Sequence, residues 1–150
     1  ANLYGPRDDF DPATSHVIPA IIRKVDKAIQ SGSESILAWG TGEPTREFLY
    51  AKDAADAIIE ATIQLDGSLP VNIGSGEEIS IHDLVKKSVA KMGFEGIIEW
   101  DTSKPDGQPR RCLDTSRAEE EFGWTASTDF DDGLEKTIDW FKANRSIIIE

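Results

Sequence analysis

The stretch Arg46-Glu47-Phe48-Leu49-Tyr50-Ala51-Lys52-Asp53-Ala54 carries a predicted strand that leads directly into a predicted helix. The strand covers Arg46–Tyr50, and the helix begins at Asp53. Its apolar residues recur at helical spacing: Ala54, Ile58, Ala61 and Leu65. A strand followed by an amphipathic helix is the repeating unit of α/β proteins, so this stretch indicates the fold class.

Strands and helices alternate on both sides of this unit. Further strands are predicted at residues 2–4, 36–39, 71–73 and 97–100. Further helices are predicted after an N-cap at Ser15, after a capping box at Ser80 and Asp83, at 116–122 and at about 130–144. Residues 40–44 are predicted to form a hairpin-like turn, and residues 102–111 a polar loop. The pattern predicts α/β layers with too few strands for a complete doubly wound sheet.

Composition narrows the classes of function. The chain has 150 residues, which suits a single domain, and its 28 acidic against 16 basic residues give a net charge of −12. Such a field repels phosphate backbones, so we expect no nucleic-acid partner. The single cysteine, Cys112, excludes an intramolecular disulfide, and the two histidines are not placed for a metal site. Without an apolar run of about 20 residues or a visible signal, we expect no membrane segment and a cytoplasmic location.

One histidine is a candidate for acid–base chemistry. His16 precedes a predicted helix and follows an acidic loop. The positive end of the helix dipole disfavours the charged imidazolium there. A neutral imidazole near physiological pH can give or take a proton. Residue type alone leaves an ordinary structural role open.

Basic and aromatic residues gather around the glycine turn. Trp39 and Arg46 flank residues 40–44, and Lys24 follows His16 by eight residues on the same helix. Asp106 lies in the polar loop with Lys104, Arg110 and Arg111. An anionic ligand with a flat ring would suit arginine for phosphate, tryptophan for stacking and aspartate for hydroxyls. A solvated surface with ordinary ion pairs is the alternative.

Six short segments, in this order, resemble one enzyme family. They are Asn2–Pro6, Ser15–Ala20, Trp39–Gly42, Arg46–Tyr50, Asn72–Gly76 and Ser103–Gly107. Together they resemble the C-terminal half of the GDP-L-fucose synthases, a branch of the extended short-chain dehydrogenases/reductases within the NAD-dependent epimerases/dehydratases. The resemblance covers essentially the whole chain.

The resemblance implies a fold and an activity. The fold would be the C-terminal substrate-binding part of an extended Rossmann-type reductase, lacking the N-terminal nucleotide-binding strands. The activity would be NADPH-dependent 3,5-epimerisation and 4-reduction of GDP-4-keto-6-deoxy-mannose. By position, His16 is similar to the catalytic proton donor, and Asn2, Leu3 and His16 would contact the cofactor. The residues that would bind the GDP-sugar are Lys24, Trp39, Arg46 and Asp106.

The family's hydride-transfer machinery has no counterpart in these residues. The chain lacks a glycine-rich cofactor loop and a Tyr-x-x-x-Lys pair, since Tyr50 is followed four residues later by Ala54. We therefore expect a truncated, single-domain, GDP-sugar-binding chain that is inactive alone and binds no NADP(H) alone. Unpaired strand edges predict a homo-oligomer. Two alternatives remain open: part of another nucleotide-sugar epimerase or dehydratase, or a stand-alone non-catalytic nucleotide-sugar-binding module.

Overall fold

The computed structural model describes residues 1–149, which form an α/β structure. The strands are β1 (Asn2–Tyr4), β2 (Ser35–Trp39), β3 (Thr45–Tyr50), β4 (Glu78–Ser80), β5 (Ile97–Asp101) and β6 (Arg110–Arg111). The helices are α1 (Val17–Ser31), α2 (Ala51–Gln64), α3 (Ile81–Met92), α4 (Ser116–Phe122), α5 (Phe130–Ala143) and α6 (Arg145–Ile148). No helix in this range is long and apolar enough to cross a bilayer.

The strands form two separate sheets. In the larger one, β3 pairs in parallel with β1 and β6 and antiparallel with β4. In the smaller one, β2 pairs in parallel with β5 over five residue pairs. Parallel strands need a crossover connection, which usually contains a helix. The connection from β1 to β3 contains α1, and the connection from β2 to β5 contains α2 and α3.

Successive apolar side chains of β3 contribute to two different apolar clusters. Phe48 contributes to the main cluster with residues of α1, α3 and α5, including Ile22, Leu84 and Phe141. Leu49 contributes to the second cluster, with residues of α2 and α4 that include Ala57. Successive side chains of a strand point to opposite faces, so helices cover both faces of the larger sheet.

Several predicted boundaries are confirmed. The Ser80 hydroxyl accepts a hydrogen bond from the Asp83 N–H at 3.0 Å, which caps α3 as the capping box predicts. The strand predicted at 97–100, the helix at 116–122 and the final helix also lie where they were expected.

Several local predictions are wrong: α2 begins at Ala51 and not at Asp53, and the predicted loop at 102–111 contains β6. Residues 71–73 pair with no strand, although Val71 and Ile73 pack against the second cluster. His16, not Ser15, is the N-cap residue of α1, and no side chain caps that end. The turn at 40–44 is no hairpin, since it carries the chain from the smaller sheet to the larger one.

Candidate functional site

A cavity of about 310 Å³ lies where β1, the start of α1, the turn at 40–44 and the loop after β5 converge. The lining residues are Asn2, His16, Val17, Trp39, Gly42, Pro44, Arg46, Ile81, Pro105 and Asp106. Five of the seven site residues predicted from the sequence are therefore brought together. Lys24 and Leu3 are the two that do not line this cavity.

His16 reaches the cavity from the N-terminal end of α1. Its backbone is extended, and its carbonyl accepts the Ala20 N–H at 3.0 Å, but its side chain makes no capping bond. The acidic loop lies close to it: burial raises the pKa of Asp8, and the hydrogen bond from the Asp9 N–H and the nearness of His16 oppose that rise. The imidazole therefore lines the cavity without capping α1.

Trp39 ends β2 with its side chain largely in solvent, at 65% exposure. The ammonium groups of Lys24 and Lys104 lie 5.5 Å and 5.8 Å from its ring centroid. A cation at such a distance from an indole is attracted by the ring quadrupole. An exposed indole with two cations nearby is suited to stacking on an anionic ligand with a flat ring.

Lys24 lies behind Trp39 and not in the cavity. Its ammonium donates to the Leu37 carbonyl at 2.5 Å, and burial lowers its pKa. It lines a neighbouring apolar pocket of about 270 Å³ that shares Val17, Trp39 and Ile81 with the main cavity. In this conformation Lys24 supports the indole.

Asp106 joins the loop after β5 to the turn at 40–44. One carboxylate oxygen accepts the Thr41 N–H at 2.7 Å and the other accepts the Thr41 hydroxyl at 2.8 Å. Two N–H groups at the start of α3 hold the same turn, because Ile81 donates to the Pro44 carbonyl and His82 to the Gly42 carbonyl, each at 2.9 Å. The turn at 40–44, which forms part of the cavity wall, is therefore held by hydrogen bonds from α3 on one side and from Asp106 on the other.

Arg46 supplies positive charge to the cavity. Its guanidinium donates to its neighbour's carbonyl, that of Thr45, at 2.7 Å, and it forms no ion pair within residues 1–149. Asn2 is fixed beside it, because the Asn2 side-chain amide donates to the Glu47 carbonyl at 2.9 Å. Leu3 points to the other face of β1 and is 51% exposed.

Sequence reasoning missed the apolar and glycine lining of the cavity. Gly42, Pro44 and Ile81 come from segments interpreted as a hairpin turn and a helix start, and nothing in their residue types indicates a site. The signal that could have identified Gly42 and Pro44 is the concentration of glycine and proline in residues 40–44. Among the described residues, no group of three or more His, Cys, Asp or Glu side chains could hold a metal ion.

Comparisons with known proteins agree with the observed architecture. Residues 1–74 match the model of the NAD dependent epimerase/dehydratase family. The chain is 45% identical over 143 residues to GDP-L-fucose synthase 1 of Arabidopsis thaliana, covering 95% of this chain and 44% of that protein. It is 37% identical to GDP-L-fucose synthase of Escherichia coli K12, covering 96% and 47% respectively. The chain thus spans under half the length of these relatives.

Solved structures give the same result. A GDP-L-fucose synthetase from Naegleria fowleri, bound to NADP, matches with a TM-score of 0.92 at 29% identity, covering 99% of this chain and 47% of that one. A UDP-glucose 4-epimerase from Thermotoga maritima, with UDP-glucose, matches with a TM-score of 0.80 at 26% identity, covering 97% and 45%. The predicted fold class and the predicted resemblance are confirmed.

Proposed function

We propose that this chain is the nucleotide-sugar-binding portion of a GDP-L-fucose synthase-like enzyme of the NAD dependent epimerase/dehydratase family, whose model matches residues 1–74. The complete enzyme would epimerise and reduce GDP-4-keto-6-deoxy-mannose. In this proposal residues 1–150 act as one GDP-sugar-binding domain in the cytoplasm. The relatives that carry the name GDP-L-fucose synthase support the choice of substrate.

One observation carries the proposal: a single cavity is lined by a ring, a cation and a proton carrier. Trp39, Arg46 and His16 all face it, in a chain whose net charge is −12. An unpaired arginine within so acidic a protein creates a local site for an anion. The indole beside it adds a stacking surface for the base.

These positions suggest how the ligand would lie. Trp39, backed by Lys24, would stack on the guanine, and Arg46 would bind the diphosphate through charge-assisted hydrogen bonds. Asp106 keeps lone pairs that could accept a ligand hydroxyl while it holds Thr41. The sugar would then lie toward His16.

His16 is the proposed catalytic residue. Epimerisation needs a proton returned to an enolate-like carbon on the face opposite to the one that lost it. The His16 imidazole can deliver that proton because no capping bond occupies it. It lines the same cavity as Arg46 and Trp39.

NADP(H) would supply the hydride in the complete enzyme, with Asn2, Leu3 and His16 as its contacts from this chain. The described residues do not form a site for it. The side chains of Asn2 and Leu3 point to opposite faces of β1, the Asn2 amide is bonded to Glu47, and no glycine-rich loop follows a strand in the phosphate-binding arrangement. We therefore assign no hydride step to this chain and expect it not to oxidise NADPH alone.

A fluorescence titration tests the binding role. We expect GDP-mannose to change the tryptophan emission of the purified chain saturably, and UDP-glucose to have no such effect. Trp39→Phe should remove most of the change, whereas Trp140→Phe, a matched control beside Phe10, should retain it. Saturation by neither nucleotide sugar would contradict the proposal.

A preference for UDP-sugars would favour a second candidate. The likeness to the Thermotoga maritima UDP-glucose 4-epimerase supports an epimerase or dehydratase of a different nucleotide sugar. The same titration separates the two, because the second candidate requires the response to UDP-glucose to be the stronger.

A further inference from the structure

A buried carboxylate lies within β3, next to the cavity residue Arg46. The side chain of Glu47 is 1% exposed and forms no ion pair within residues 1–149. It points to the opposite face of the strand from Arg46, because successive side chains of a strand alternate. A carboxylate buried without a cation is costly unless hydrogen bonds satisfy its oxygens. No step of the proposed function uses this group directly.

Each oxygen of the Glu47 carboxylate accepts a backbone N–H from a different segment of the chain. Oε1 accepts the Gly76 N–H at 2.8 Å, and Oε2 accepts the Leu113 N–H at 3.0 Å. The fit around Oε1 is close, since a Cβ on Gly74 would clash with it. The two donor residues lie 29 and 66 positions from Glu47. One carboxylate therefore joins two distant segments to the central strand of the larger sheet.

The first of these segments leads to one wall of the cavity. Residues 74–76 precede β4, which pairs with β3 and continues directly into α3. The first two N–H groups of α3 donate to carbonyls of the turn at 40–44, which forms part of the cavity wall. The bond from Gly76 to Glu47 therefore supports that turn through β4.

The second segment leads to the part of the wall that carries Asp106. Leu113 follows β6, which pairs in parallel with β3. The loop that enters β6 bears Asp106, whose carboxylate accepts the N–H and the hydroxyl of Thr41. The bond from Leu113 to Glu47 holds the chain at the far end of β6. Both wall segments are thus connected to the same buried carboxylate.

We propose that Glu47 is a positioning residue for the nucleotide-sugar site, whose carboxylate holds two walls of the cavity in the arrangement that binds the ligand. The inference rests on the proposed function and gives a role to a residue outside the cavity lining. A site whose walls are fixed before binding avoids the cost of ordering them when the ligand arrives. Loss of either bond to Glu47 would restore part of that cost.

Asp53 provides a matched control. Its carboxylate is 3% exposed and accepts the N–H groups of Ser127 and Thr128 at 3.0 Å and 2.8 Å, and none of these residues lines the cavity. Glu47→Gln and Asp53→Asn each replace a buried carboxylate by an amide of the same shape, so one accepting oxygen is lost in both. Both variants should unfold at a lower urea concentration than the wild type.

Calorimetric titration with GDP separates positioning from general stability. We expect Glu47→Gln to weaken GDP binding by about 3- to 10-fold, the effect of one hydrogen bond that the ligand must compensate. Asp53→Asn should bind GDP as the wild type does, although it too is destabilised. GDP is the probe because it carries the base and the diphosphate of the nucleotide sugar.

A second pair of variants displaces the carboxylate without removing it. Neither Gly74 nor Gly67 has a positive φ, and a Cβ on Gly67 would make only an ordinary contact, 3.6 Å from Oε2 of Glu121. Gly74→Ala should therefore weaken GDP binding as Glu47→Gln does, and Gly67→Ala should not. This pair decides the question if Glu47→Gln does not fold.

Amide NMR spectra without nucleotide test the same inference independently of the ligand. Glu47→Gln should shift the resonances of Thr41 and Asp106 in the cavity wall, and Asp53→Asn should leave them in place. Wild-type GDP affinity in the folded Glu47 and Gly74 variants, or unshifted Thr41 and Asp106 resonances in Glu47→Gln, would overturn the inference. Failure of the wild type to bind GDP would instead overturn the proposed function, and the spectra would still show whether Glu47 holds the cavity walls.

Discussion

Substituting Gly42 by alanine tests whether the turn at 40–44 is as tightly enclosed as the cavity requires. A Cβ at Gly42 would lie 2.6 Å and 2.8 Å from two ring carbons of Trp100 and 3.1 Å from the Cβ of His82. Its φ of +80° adds the conformational cost that any non-glycine residue incurs there. Gly93, at φ +76°, has nothing within 4 Å of such a Cβ. Gly93→Ala therefore measures the conformational cost alone.

Comparing the two variants separates the conformational cost from the steric cost. Left-handed backbone costs an alanine about 1–2 kcal/mol in either variant. Forcing a methyl group against the Trp100 ring adds about 1–3 kcal/mol at Gly42. We expect Gly42→Ala to lower the free energy of unfolding by that additional amount relative to Gly93→Ala.

Urea unfolding of both variants measures the difference, and a GDP titration measures the site. Because His82 donates to the Gly42 carbonyl, displacement of Trp100 or of the turn should also weaken GDP binding in Gly42→Ala and not in Gly93→Ala. Equal destabilisation of the two variants would refute the steric reasoning.

Three other predictions concern separate parts of the molecule. Burial raises the pKa of Asp53, but hydrogen bonds from Thr128 and Ser127 lower it overall, so the charged carboxylate stabilises the fold at neutral pH. Asp53→Asn should therefore lower the free energy of unfolding by about 1.5–3 kcal/mol in urea at pH 7. The difference from the wild type should shrink as the pH falls below about 4, whereas a packing defect would not depend on pH. Asp106→Ala should weaken GDP binding several-fold in calorimetry while leaving the melting temperature nearly unchanged, because its two bonds to Thr41 are exposed. Unchanged GDP affinity would contradict the role of Asp106 in holding the turn at 40–44. The free apolar surface around Leu3 and α2 should drive self-association, and light scattering of a concentrated sample that showed a monomer would exclude it.

The sequence predicted which elements exist better than it predicted how they pair. The apolar stripes and the Ser80 cap act over a few residues, so local patterns found α3 and α5 correctly. Pairing depends on residues far apart in the chain, which explains why residues 40–44 were taken for a hairpin. Asp53 illustrates the same limit: it was placed as a helix start, yet α2 begins at Ala51 and the Asp53 carboxylate accepts bonds from Ser127 and Thr128.

The candidate site was partly predictable for the same reason. Trp39 and Arg46 flank a short turn, so their approach follows from local sequence. The meeting of Asp106 with Thr41, 65 residues away, does not follow from any local pattern.

The most direct test of the account is an NMR titration of the isotope-labelled chain with GDP-mannose, with backbone amide shifts followed residue by residue. We expect saturable shifts concentrated at His16, Thr41, Arg46 and Asp106, together with the Trp39 indole N–H. UDP-glucose at the same concentration should leave them in place. Shifts confined to the separate acidic pocket around Lys87 and Asp129, or no shifts at any concentration, would contradict the claim that this cavity binds the nucleotide sugar.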